Sequence, residues 1–98
     1  MSKRNRKNEF RYSQKTQGHP AYIYKREGDK YKFIGITHAP ITEGIKNIPL
    51  NKNPNPADSR KSYARPMADS DNYKKFSRKL KGWKISPSDK DKLKKIQK

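Results

Sequence analysis

Two runs of strand-forming residues dominate the hydrophobic pattern. Ala21-Tyr22-Ile23-Tyr24 and Tyr31-Lys32-Phe33-Ile34-Gly35-Ile36-Thr37 concentrate aromatic and β-branched side chains, which suit a pleated backbone. The polar stretch Lys25 to Lys30 separates them, with Gly28 near its tip, so the pattern predicts a β-hairpin. Pro20 stands just ahead of the first run, where its missing N–H does least harm. After Thr37 the apolar residues come in short groups. His38 to Gly44 reads as a connection, and Ile45 to Leu50 as a short edge strand, because Pro49 excludes a central position. Asn51 to Asp58, rich in Asn and Pro, is a loop by composition. Ser62-Tyr63-Ala64 predicts one more short strand before Pro66, and a looser segment then runs to Lys81-Gly82.

The two ends differ. Near the carboxy terminus Ser86 offers an N-cap, Pro87 the first helical position and Asp89 an acid three residues after the cap. Leu93 and Ile96 share one face, with Lys94, Lys95 and Lys98 toward the negative end of the short helix so predicted. Residues 1–17 carry Lys3, Arg4, Arg6, Lys7, Arg11 and Lys15 against the single acid Glu9, with only Phe10 and Tyr12 as apolar breaks. Such a tract buries too little surface to order itself, which predicts a flexible basic arm ahead of a domain over residues 18–98. The expected fold class is mainly β with a short C-terminal helix.

Charge changes the picture most. The 98 residues include 26 Lys plus Arg against 9 Asp plus Glu, a formal net charge of +17. Self-repulsion on that scale opposes compaction and is relieved by a polyanion, so nucleic acid, RNA or DNA, leads the expected partners. Between Tyr73 and Lys84 the cations Lys74, Lys75, Arg78, Lys79, Lys81 and Lys84 interleave with Phe76 and Trp83. Cations neutralise phosphates and an exposed aromatic stacks on an unpaired base, although Trp83 reads first as a core residue. The expected phosphate-binding set is therefore Lys3, Arg4, Arg6, Lys7, Arg11, Lys15, Arg60, Arg65 and the cluster from Lys74 to Lys84.

Other chemistries are excluded or narrowed. The chain has no Cys, which removes disulfides, thiolate metal sites and a Cys nucleophile, and its two His cannot make a zinc site alone. No metal or cofactor is expected. P-loop, HExxH and GxSxG motifs are missing, and the few carboxylates form no cluster for two-metal chemistry. The longest apolar run, Phe33 to Ile36, is far too short to span a membrane, and no apolar h-region follows the basic start, so a cytoplasmic protein is expected. Within the predicted hairpin, the chain before the first strand lies near the end of the second. His19, Thr37 and His38 are thus expected to converge, with Lys15, Arg60 and Arg65 nearby. Metal-independent RNA cleavage requires a base for the 2′-hydroxyl, a cation for the phosphorane charge and an acid for the leaving oxygen, roles that His, Lys and Arg can fill.

The order of pieces resembles the PemK/MazF type of toxin. The resemblance rests on His19-Pro20-Ala21-Tyr22-Ile23, Phe33-Ile34-Gly35-Ile36-Thr37, Ile48-Pro49-Leu50, Ser62-Tyr63-Ala64 and the turn from Lys84 through Asp89 into a terminal helix, over about residues 18–97. It implies a small SH3-like open barrel and an endoribonuclease that needs no metal. Thr37 matches the family's catalytic Thr, whereas His19 or Gln17 stands where the family has an Arg. Three readings follow: a nucleic-acid binder acting on the phosphate backbone, a toxin-like endoribonuclease, and an accessory protein-interaction module of a nucleoprotein complex.

Overall fold

The computed structural model describes residues 6–97. The predicted hairpin is its centre: β2 (His19–Glu27) and β3 (Lys30–Thr37) pair antiparallel around a turn at Gly28-Asp29. Gly28 takes φ 62°, a conformation that favours glycine. Their side chains alternate between two apolar faces. Phe10, Tyr22, Tyr24, Ile34, Ile36, Leu50, Ala64 and Leu93 form the core on one side, and Ala21, Ile23, Tyr31 and Phe33 cluster on the other. Both faces of these strands are covered, which is why their hydrophobic runs are nearly continuous.

The basic amino-terminal segment is not the arm expected. Arg6–Ser13 forms β1, paired antiparallel with β2 from Arg6↔Lys25 to Ser13↔His19. Phe10 is 0% exposed, its ring centroid 5.3 Å from that of Tyr22. The Tyr22 hydroxyl donates to Asn8 Oδ1 at 2.6 Å, and burial pushes this phenol up to about 12. A domain boundary at residues 17 and 18 would therefore cut the β1–β2 hairpin through its turn. The segment orders because β2 presents a ready edge across a short turn, a pairing that composition does not reveal. Residues 1–5, with Lys3 and Arg4, lie outside the described residues, as does Lys98.

The rest of the sheet also extends beyond expectation. β7 (Tyr63–Asn72) is much longer than the predicted Ser62-Tyr63-Ala64 strand and pairs along the whole of β3. The register shifts between Ile34↔Ala68 and Ile36↔Ala64, so Pro66 sits in a bulge, where no ladder donor is needed. β4 (Ile41–Thr42) and β5 (Ile45–Lys46) make a separate hairpin, and β6 (Ile48–Pro49) pairs with β7. The main sheet runs β1-β2-β3-β7-β6 and is not closed into a barrel.

After β7 the chain crosses from one edge of the sheet to the other. A single 3-10 turn at Tyr73–Lys75 leads to a segment that lies along the outer edge of β1. Gln14 N–H donates to Lys75 O, Ser77 N–H to Tyr12 O and Leu80 N–H to Phe10 O, at 3.0, 2.9 and 2.8 Å. Tyr12 N–H also turns outward, to Ser77 Oγ at 2.8 Å, so Pro20, its partner on β2, need donate nothing. The ring of Phe76 meets Tyr31 and Phe33, each at 5.2 Å, closing the second apolar cluster.

The predicted helix is α1 (Pro87–Lys94), with Ser86 Oγ accepting from Asp89 N–H. Asp89 does more than counter the helix dipole. It is 0% exposed, and its carboxylate accepts from the N–H groups of Asn51 and Lys52 at 2.8 and 3.1 Å. The helix is thereby pinned to the Asn/Pro-rich loop, while Leu93 enters the core. That loop is ordered by side chains that cap backbone N–H groups two residues on. Asn53 Oδ1 accepts from Asn55, Asn55 Oδ1 from Ala57 and Asp58 Oδ1 from Arg60. Among the described residues no helix is long and apolar enough to cross a membrane.

Candidate nucleic-acid interface

The antiparallel register brings the start of β2 beside the end of β3, and there the expected residues meet. His19, Thr37, His38 and Arg60 line one cleft of about 220 Å³, together with Tyr12, Ser62 and Trp83. His19 and Thr37 also border a neighbouring cleft of about 300 Å³, lined by Lys15 and Arg65. The two imidazoles are not equivalent. His38 Nδ1 donates to Lys61 O at 3.1 Å and Nε2 lies 3.4 Å from Asp58 Oδ2, so both ring nitrogens are occupied. The exposed ring of His19 has no such partner among the described residues. Thr37 Oγ1 accepts from Ala39 N–H at 3.2 Å, which leaves its own O–H free to donate.

Asp58 organises the rim. Arg60 Nη2 donates to Asp58 Oδ2 at 2.8 Å and Arg60 Nε reaches both carboxylate oxygens, with the Arg60 N–H adding a further bond. The guanidinium above all, then the backbone N–H and His38, hold the Asp58 carboxyl well below the usual carboxylate range, against opposing desolvation. Arg60 is raised in turn by the same pair. Its side chain is nevertheless 71% exposed, fixed in direction while presenting charge to solvent.

The remaining expected cations divide by environment. Lys15 is held by Asp69 Oδ1 at 3.0 Å and Ser70 O at 3.1 Å. Arg65 donates to Asn47 Oδ1 at 2.9 Å, and its stem lies over Gly35, where an added Cβ would meet Arg65 Cγ at 3.2 Å. Arg11 pairs with Glu9 at 2.6 Å, donates to Ser77 O at 2.9 Å and lies over the Tyr31 ring, ties that knit β1 to its neighbours. Arg6 and Lys7 are described only as backbone of β1. Lys74, Lys75, Arg78, Lys79, Lys81 and Lys84 are all exposed, and none has an ion-pair partner among the described residues.

Sequence reasoning missed Asp58, Ser62 and Tyr12. Asp58 carried a usable signal, an acid two residues before Arg60 in a loop of side-chain-capped turns. Ser62 and Tyr12 carried none, since their place in the cleft depends on which strands neighbour one another. Trp83, read first as core, does both: it packs 5.7 Å from Phe10 and lines the cleft. Among the described residues no group of three or more His, Cys, Asp or Glu could hold a metal ion. Compared with family models, curated proteins and solved structures, the chain matches none of them.

Proposed function

We propose that the protein binds nucleic acid through its phosphate backbone, along the exposed cations from Lys74 to Lys84. One observation carries the reading: five of the nine acids are spent elsewhere. Glu9, Glu27, Asp58, Asp69 and Asp89 each pair with a cation outside this segment, on Arg11, Lys25 and Lys32, Arg60, Lys15 and Lys92. The six cations of the segment are left without an ion-pair counter-charge among the described residues, and backbone bonds to β1 hold residues 75–80 along its edge. A phosphate chain supplies that counter-charge and releases its own condensed ions on doing so. The crossing of residues 73–80 onto the edge of β1 also supports an SH3-like open barrel as the architecture, since it is the step by which such a sheet curls toward closure. If six phosphates are neutralised, log K should fall against log salt with a slope of about −4 for single strands and about −5 for duplex. Affinity that is flat from low to moderate salt would defeat the proposal.

The convergence of His19, Thr37, His38 and Arg60 favours a second reading, RNA cleavage at the cleft. His19 takes the proton of a 2′-hydroxyl, whose oxygen attacks phosphorus as the bond to the 5′-oxygen breaks. His38 Nε2 gives up its 3.4 Å contact with Asp58 to return a proton to that oxygen, while Arg60 and the Thr37 O–H face the phosphorane charge. The products are a 2′,3′-cyclic phosphate and a free 5′-hydroxyl. Single-stranded RNA incubated in EDTA should then be cut, and His19→Ala should slow the reaction by about a hundredfold or more. Intact RNA after long incubation would leave binding as the function.

A further inference from the structure

We infer that the cleft walled by Tyr12, Trp83 and Ser62 takes one unpaired base, so that the polymer bound is single-stranded. The inference rests on the phosphate-binding reading above and adds what lies at the end of the cationic edge. Two aromatic rings stand there at 79° to one another, their centroids 6.3 Å apart, and Tyr12 is 43% exposed. A planar base that stacks flat on one ring meets the other edge-on, both favourable geometries. The cleft of about 220 Å³ has room for a base extruded from its strand but none for the paired, stacked bases of a duplex.

Ser62 is the independent observation. It lines this cleft, is 1% exposed, and its Oγ has no hydrogen-bond partner among the described residues. A buried hydroxyl without a partner forfeits its bond to water, so such groups are rare unless something else completes them. The ring nitrogens and exocyclic groups of a base offer donors and acceptors to a hydroxyl that can serve as either. Phosphate contact then proceeds from the flank: Lys81 and Lys84 bracket Trp83 in the chain, and Arg60 stands on the rim.

The test compares three fluorescein-labelled probes of equal length with the full chain: a mixed-sequence single strand, the same backbone made abasic, and the matched duplex. Trp83, the one tryptophan, reports stacking directly. The base-bearing single strand should bind roughly tenfold or more above the abasic one, in the range that stacking a base supplies, and should alone quench Trp83. Tyr12→Ala should erase most of that preference. Ser62→Ala should weaken the base-bearing strand by about fivefold, one hydrogen bond, while the free protein melts no lower than the parent because no bond is lost from it. Equal affinity for base-bearing and abasic strands, with Trp83 undisturbed, would overturn the cleft assignment and leave backbone binding standing. Duplex bound as tightly as the single strand with the same quenching would overturn single-strand selection. No binding of any probe at low salt would overturn the phosphate-binding reading itself.

Discussion

Phe10→Ala is the sharpest test of whether the basic amino-terminal segment belongs to the fold. Phe10 is 0% exposed, with ring centroids 5.3 Å from Tyr22 and 5.7 Å from Trp83, so truncation opens a cavity between strands and removes two aromatic pairs. Such changes cost about 3–5 kcal/mol. A chain of this size has a total stability on the order of 5–10 kcal/mol, so the loss is near half of it. With a urea dependence of about 1–1.5 kcal/mol per molar, the unfolding midpoint should fall by roughly 2–5 M. Trp83 fluorescence follows the transition, because the ring sits against Phe10. Tyr12→Ala, at a side chain 43% exposed on the same strand, is the control and should shift the midpoint far less. A Phe10→Ala midpoint within about half a molar of the parent, well below the cavity cost, would refute β1 as part of the cooperative unit and restore the flexible arm.

Asp58→Asn tests the rim of the cleft. Because the Asp58 carboxyl titrates below its ordinary 3.8 when folded, its pairing stabilises the fold above that value and the contribution is lost as pH falls toward the folded value. Melting temperature should therefore drop more steeply below pH 3.8 in the parent than in Asp58→Asn, and parallel curves would show the pair contributes nothing. Asp89→Ala should leave the N–H groups of Asn51 and Lys52 without their acceptor, costing roughly 2–4 kcal/mol and speeding hydrogen exchange at those two amides. Unchanged exchange there would mean that α1 is not anchored through this carboxylate.

What the sequence determined alone was local. The β2–β3 hairpin declared itself through β-branched and aromatic runs around Gly28, because both its signal and its partner lie within a short span. The helix from Pro87 declared itself through its cap, since Ser86, Pro87 and Asp89 act on backbone groups of the same turn. The excess of cations was fixed by composition, as was the absence of thiolates. Even the meeting of His19 with Thr37 followed from the hairpin, whose antiparallel pairing places one chain start beside one chain end.

Tertiary structure decided the rest. Arg6–Ser13 has the composition of a disordered tract and becomes a strand because β2 offers it an edge on one side and residues 75–80 bond it on the other. Pro66 stops a short strand locally, yet β7 runs through it, because β3 supplies the ladder on both sides of the bulge. Only after the chain crosses from β7 to β1 does Trp83 come against Phe10 and Tyr12, making one wall of a cleft from residues about seventy positions apart. The same rule separates the cations. Lys15 finds Asp69 across the fold and Arg11 finds Glu9 on its own strand, whereas Lys74, Lys75, Arg78, Lys79, Lys81 and Lys84 have no ion-pair partner among the described residues. Composition counts charges, but only packing decides which of them remain unneutralised, because pairing depends on distances that the chain sets by folding.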